Sequence, residues 1–255
     1  MLIATPHSHL FTDEALRADI LARSDAVEIR SASQAGQSGL PEIYHCELSI
    51  VAPWTEGERA MLAGLAGAGL GLVSFHSGSR YVENRLEGGA FVGVGEPMGR
   101  EQMLAHAREN AAIARQALGR VRLLVENNND LGTDAYETVT DPDFLAEALD
   151  AADADLLLDV AHARISAVNR GQDERAYLGA LPLGRVRQVH LSRHAVAEGR
   201  AKDAHDPLEE EDWQWVSELL YRGMPLEYVT VEYYKDGPTL LRQLERLRVL
   251  IEETR

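Results

Sequence analysis

Short apolar runs alternate with segments of helical periodicity from one end of the chain to the other. Eight runs read as strands: Leu2–Pro6, Ala26–Arg30, Glu42–Leu48, Gly71–His76, Arg122–Glu126, Asp155–Val160, Arg187–Leu191 and Tyr228–Tyr234. Several intervening helices have recognisable starts. Thr55 with Glu58 forms a capping box, and Asp141-Pro142 places proline in a first helical turn. Further helices are expected over Thr12–Arg23, Arg100–Leu118, Glu209–Leu220 and Pro238–Thr254. Strands that alternate with helices call for a parallel sheet. Eight of them predict closure into one (β/α)8 TIM barrel, an α/β fold, with residues 1–255 forming a single domain. Two stretches break the rhythm. Ser31–Pro41 joins strands without a clear helix, and Ser77–Met98 is a long glycine-rich loop that reads as a lid or substrate loop.

Strands of a parallel barrel are covered by helices outside and packed inside, so they are expected to be apolar throughout. Here they are apolar only until their C-terminal ends, where His, Asp or Glu appears. Glu126 opposes Leu123 and Val125, Asp159 opposes Leu158 and Val160, and His190 opposes Val189 and Leu191. Glu232 opposes Val231, His76 follows Phe75, and His45 stands between Tyr44 and Cys46. With the aliphatic neighbours facing the helices, all six polar side chains point to the barrel axis, at the mouth where such enzymes keep their active sites. His162 follows just past the sixth strand in Asp159-Val160-Ala161-His162. Asp203-Ala204-His205 spaces two more donors on one side of an extended loop.

Any one of these residues has an ordinary structural reading, as an ion-pair partner or a packed histidine. Their recurrence at successive strand ends points instead to divalent metal, the natural compensation for converging buried charges. Oxygen and imidazole donors without thiolate suit zinc, iron or manganese. His7 and His9, at the first strand end, and His194, shortly after His190, read equally as pocket or surface residues. Glu28 and Arg30 read either as a structural ion pair or as substrate contacts, and Cys46 as a small core residue.

Charge narrows the choice of partner. Lys and Arg number 25 against 41 Asp and Glu, a formal net charge of −16. Such a surface repels phosphate backbones and anionic lipid, so neither nucleic acid nor a membrane is expected as a partner. One cysteine allows neither an intramolecular disulfide nor a thiolate zinc knuckle. Met1–His7 lacks the basic start and apolar run of a signal peptide, and Met61–Phe75 is too short and glycine-rich to span a bilayer. A cytoplasmic protein is expected.

The order His45, His76, Glu126, Asp159, His162, His190, Asp203, His205, Glu232 resembles that of the xylose isomerase-like barrel superfamily. The local sequence is most similar to one branch, the multinuclear non-haem iron-dependent oxidative enzymes (MNIO). The residues carrying this are Leu156-Leu157-Leu158-Asp159-Val160-Ala161-His162, Ser166–Gly171, Val189-His190-Leu191, Asp203-Ala204-His205-Asp206-Pro207 with Trp213, and Glu126-Asn127. The resemblance implies one metal on His45, His76 and Glu126. Glu126 would bridge to a second metal completed by Asp159, His190 and Glu232, and a third would sit on His162, Asp203 and His205. It further implies two or three iron ions that activate dioxygen to oxidise a bound substrate, most often a cysteine of a ribosomally made peptide. A separate peptide-recognition partner protein is also implied. Three features depart from the family pattern: the short connection after the second strand, Ser192-Arg193-His194 after the seventh, and Tyr233-Tyr234-Lys235-Asp236 after the last.

Three other functions fit the fold. A sugar isomerase or epimerase would need a single metal on Glu126, Asp159, His190 and Glu232, with carboxylates moving protons and the other five donors left idle. A multi-zinc phosphodiesterase of the endonuclease four type would use all nine donors but sits badly with the acidic surface. A metal-containing binding protein would have every metal position filled by protein.

Overall fold

In the computed structural model, which describes residues 1–254, the eight expected strands are present and close on one another. They are β1 (Leu2–Pro6), β2 (Ala26–Ile29), β3 (Glu42–Ser49), β4 (Leu72–His76), then, after a hairpin of β5 (Glu83–Glu87) and β6 (Ala90–Val94), β7 (Arg122–Glu126). β8 (Asp155–Asp159) and β9 (Val186–Leu191) follow, a second hairpin holds β10 (Arg193–Ala197) and β11 (Arg200–Asp206), and β12 (Tyr228–Val231) completes the set. The barrel runs β1-β12-β9-β8-β7-β4-β3-β2, every pairing parallel. This is the (β/α)8 TIM barrel expected from the alternation.

The helices are α1 (Glu14–Arg23), α2 (Glu56–Ala63), α3 (Arg100–Leu118), α4 (Asp134–Glu137), α5 (Pro142–Ala152), α6 (Val160–Asn169), α7 (Glu174–Ala180), α8 (Glu210–Tyr221) and α9 (Gly237–Glu253). The capping box at α2 is formed: Thr55 N–H donates to Glu58 Oε2 at 2.6 Å, and Glu58 N–H donates to Thr55 Oγ1 at 3.3 Å. α9 buries Leu240, Leu244, Leu247 and Ile251 on one stripe, each contributing about 1.5–3 kcal/mol of transfer free energy.

Inside the barrel the layers are sharply sorted. Ala4, Ala26, Ile43, Leu72, Leu124 and Leu157 close the lower end as an apolar plug. One step up each strand on the same face stand Glu28, His45, Ser74, Glu126, Asp159 and His190, all buried. Cys46 packs on the outer, helix-covered side as expected. Among the described residues no helix is long and apolar enough to cross a membrane.

Three segments depart from expectation. Ser77–Met98 is not a plain loop, since it contains the β5–β6 hairpin. His162 does lie just past β8, but in the first turn of a helix not expected there, α6, eight of whose ten residues are buried. A helix covered on all sides shows no polar stripe, which is why periodicity misses it. Asp203 and His205 belong to a strand, β11, rather than to a loop.

Candidate metal centre

Parallel register brings the strand-end donors together. His76 aligns with Glu126 across β4 and β7, and Asp159 aligns with His190 across β8 and β9. Glu126 is the hub. Its Oε2 lies 3.1 Å from His76 Nδ1 and 3.6 Å from His45 Nε2, and its Oε1 lies 3.6 Å from both His190 Nδ1 and His162 Nδ1.

Asp159 is both strand end and helix cap. Its Oδ1 accepts the N–H of His162 at 2.7 Å, which explains the three-residue spacing: an N-cap carboxylate holds the residue that donates to it. Its Oδ2 lies 4.0 Å from His162 Nε2. The same ring is 3.7 Å from Asp203, and His205 Nε2 is 3.4 Å from both Asp203 and Glu232. Glu232 lies just past β12, its N–H donating to Leu191 O at 2.8 Å, and its Oε2 is 3.2 Å from His190 Nδ1. His205 takes a left-handed backbone (φ 44°), turning it back toward Asp203, whose Oδ1 accepts the His205 N–H at 3.3 Å. All nine expected donors thus form one continuous cluster.

Of the residues left open, Glu28 and Arg30 join the cluster. Glu28 Oε2 is 2.8 Å from His190 Nε2, and Arg30 pairs with Glu28, Glu47 and Glu232. His7 instead packs its ring on Phe11, 4.7 Å between centroids. His9 is exposed in a short 3-10 turn. His194 lines a different cavity with Arg164, Glu174 and Asp212. Glu47 was not singled out from sequence, yet its Oε2 lies 3.3 Å from His76 Nε2. The available signal was its position on β3, two residues beyond His45 and so on the same face.

The electrostatics are unbalanced by protein alone. Burial, aided by Glu126 and Glu232, pushes the Asp159 carboxyl up to about 7. Burial would lower the His190 imidazole, but Glu28 and Glu232 outweigh it and hold the group well above its ordinary value. Glu126 Oε2, Asp159 Oδ2, His190 Nδ1 and His76 Nε2 are buried without any hydrogen-bond partner. Orphaned donor atoms facing one another in a low-dielectric pocket are what a divalent cation would satisfy. Two groups bring donor atoms within 4.8 Å of one another: Glu126, Asp159 and His190, and His45, Glu47 and His76. The residues present therefore fit a multi-metal centre of imidazole and carboxylate donors.

The supporting shell is also in place. Ser74 Oγ is 2.9 Å from His45 Nδ1, and the Asn127 carbonyl is 3.0 Å from His162 Nδ1. Such partners set ring tautomer and orientation. From the cluster a cavity of about 450 Å³ opens to the surface between Ala52–Trp54 and the β5–β6 hairpin, walled by Trp54, Tyr81 and Phe91. Its size is within the range of ligand-binding pockets.

Comparison with known proteins bears on the family and the fold. A UPF0276 protein of Acaryochloris marina is 30% identical over 140 residues, 54% of this chain and 50% of that protein. One from Caulobacter vibrioides is 36% identical over 114 residues, 44% of this chain and 40% of its own length. The chain thus spans about half the length of the curated relatives it matches. Among solved structures, a xylose isomerase domain protein of Salmonella typhimurium superposes with TM-score 0.63 at 13% identity, covering 98% of this chain and 97% of that one. The D-psicose 3-epimerase of Clostridium cellulolyticum superposes with TM-score 0.59 at 13% identity, covering 100% and 99%. These two establish the fold. The family described as RiPP precursor modification enzyme MbnB/TglH/ChrH matches residues 97–251, well over half of the chain, and the chain belongs to that family.

Proposed function

We propose that this chain is a metalloenzyme that oxidatively modifies a substrate at a centre of two or three iron ions, the substrate being a cysteine of a ribosomally made peptide. The observation that carries this reading is the continuous cluster of nine imidazole and carboxylate side chains at the barrel mouth, with four buried orphan atoms, in a chain of that family. His45, His76 and Glu126 would hold one metal, Glu126, Asp159, His190 and Glu232 a second, and His162, Asp203 and His205 a third. Iron supplies the redox chemistry that activates dioxygen; zinc or manganese is the alternative occupant.

The protein's own part is to hold and to exclude. Glu28, Ser74 and the Asn127 carbonyl fix the rings of His190, His45 and His162, so the donor atoms are placed before any metal arrives. The catalytic roles proposed for Glu126, Asp159, His190 and Glu232 are those of ligands whose charge the metal offsets, with no side chain acting as nucleophile. The cavity over the cluster is walled by Trp54, Tyr81 and Phe91 together with polar groups such as Ser79, Asn84 and Asn128, and so offers a peptide both apolar area and hydrogen-bond partners. A separate protein that recognises the rest of the peptide is part of this proposal. A single-metal sugar epimerase is weaker, because it leaves His45, His76, His162, Asp203 and His205 without a task.

Metal content per chain after purification without oxygen, followed by iron spectroscopy, tests the reading. Two or three irons that change oxidation state in air are expected. A single manganese or zinc, or no iron, would overturn it and direct the search to sugars.

A further inference from the structure

Glu47 differs from every other carboxylate that touches the cluster. Its side chain is 69% exposed, against 1% for Glu126 and 5% for Glu232. It stands at the end of β3, beyond His45 on the same face, and reaches inward over the mouth of the barrel. Oε2 lies 3.3 Å from His76 Nε2, and Oε1 lies 3.5 Å from Arg30 Nη1. His45, Glu47 and His76 each offer a donor atom within 4.8 Å of the others. Glu47 also walls the 450 Å³ cavity beside His76 and Trp54. Glu47 and His76 both line this cavity, so a molecule within it can reach the Glu47 carboxylate as well as the His76 ring.

Arg30 stands on the other side of that carboxylate. Its guanidinium is tied from below to Glu28, at 3.3 Å, and to Glu232, so it cannot leave easily. Its Nε is buried without a partner, so it has donor capacity to spare. A planar guanidinium with a free N–H is well matched to a carboxylate that turns a few ångströms toward it.

We propose that Glu47 is an exchangeable ligand of a metal held by His45 and His76, and that Arg30 receives its carboxylate when an incoming donor takes its place. In the resting protein Glu47 then closes the metal position that faces the cavity. On exchange the carboxylate gives up its metal contact and tightens the pairing it already has with Arg30, now 3.5 Å away, so it is not left without a partner in the mouth. Arg30 is a positioning residue here, acting through Glu47. The proposal rests on the metal reading above and adds a gate to it.

The test uses ferrous-loaded protein and nitric oxide, an uncharged ligand whose affinity does not rise merely because a negative side chain is lost. Iron per chain is measured first, then nitric oxide is titrated and followed by electron paramagnetic resonance. Glu47→Gln and Glu47→Ala are expected to keep their iron and to bind nitric oxide at least tenfold more tightly than wild type. Arg30→Met is expected to bind it several-fold more weakly, and the Glu47→Ala/Arg30→Met double variant to match Glu47→Ala. Glu47 variants that retain iron and bind nitric oxide like wild type would overturn the proposal, because Glu47 would then only orient His76. Loss of iron from both Glu47 variants would also overturn it, since the ligand would be permanent. Wild type that takes up no iron would instead sink the metal reading itself. Circular dichroism on each variant confirms that the barrel is folded.

Discussion

His190 gives its Nε2 to the fully buried Glu28 Oε2 at 2.8 Å, and so turns Nδ1 toward Glu126 and Glu232. The two residues are far apart in sequence and meet only across the closed barrel. Burial would raise the Glu28 carboxyl, but His190, with His45 and Arg30, outweighs it and brings the group to about 2. Glu28 is thus an acceptor at any working pH, also taking a hydrogen bond from Gln188 Nε2 at 2.6 Å. With a cation bound, the proton stays on Nε2 and it is Nδ1 that gives up its proton and faces the metal. Glu28→Gln is expected to weaken metal binding by about 10–100-fold while the protein stays folded. Competition against a chelator of known affinity measures this, and an unchanged affinity would remove Glu28 from the supporting shell.

Gly93 sits under the ring of Tyr81, where an added Cβ would come within 2.2 Å of the ring. Tyr81 in turn hydrogen-bonds Asp134, and Tyr136 OH accepts the Phe91 N–H at 3.0 Å, so the hairpin is fastened to α4. Gly93→Ala is expected to cost about 1–3 kcal/mol of local stability. Proteolysis or amide exchange within residues 83–94 would accelerate roughly tenfold or more, since each 1.4 kcal/mol is tenfold, while the barrel keeps its thermal midpoint. Equal protection in variant and wild type would show that the hairpin does not depend on this contact.

Arg164 lies outside the cluster, buried in a network of its own. It donates to Glu174 Oε2 and Asp212 Oδ1 at 2.5 Å each and to Glu211 Oε1 at 3.0 Å, with its guanidinium over Trp215. Removing one partner of a buried ionic network leaves the others uncompensated. Arg164→Met should destabilise the fold by about 3–5 kcal/mol in urea unfolding. Metal per chain in the folded fraction should be unchanged, and a parallel loss of metal would show that the two networks are coupled.

Asp25 ties the first strand to the last helix. Its Oδ2 accepts from Ile3 N–H and from Arg248 Nη1, both at 2.8 Å. Burial would raise this carboxyl, but Arg248 and the Ile3 N–H outweigh it and the group is lowered. A lowered carboxyl stabilises the fold above its unfolded value of about 3.8 and loses that contribution as pH falls through the folded value. Asp25→Asn is therefore expected to be less stable by about 1 kcal/mol at neutral pH, with the gap closing below about pH 4. Denaturation curves at several pH values check this, and a gap that persists in acid would mean the loss is steric.

How much of this was legible beforehand follows from where each residue's constraint lies. His45, Glu126, Asp159, His190 and Glu232 stood out because a parallel strand buried on both faces tolerates no charge without a reason. Alternation then gave their direction without any coordinates. Glu47 did not stand out, because a glutamate at an exposed strand end is ordinary until a histidine from the next strand is seen beside it. The β5–β6 hairpin hid in a glycine-rich stretch, and α6 hid because its burial on all sides erases periodicity.

The sequence by itself determined the barrel and the row of His, Asp and Glu residues at the strand ends, since both follow from local patterning. Only the tertiary structure decided the pairings: Glu28 behind His190, Arg30 between Glu28, Glu47 and Glu232, Asp159 as both donor and cap of the helix that carries His162. Alternation assigns a side chain to a face, but which neighbour it meets there depends on strand register and barrel closure, which join residues from opposite ends of the chain.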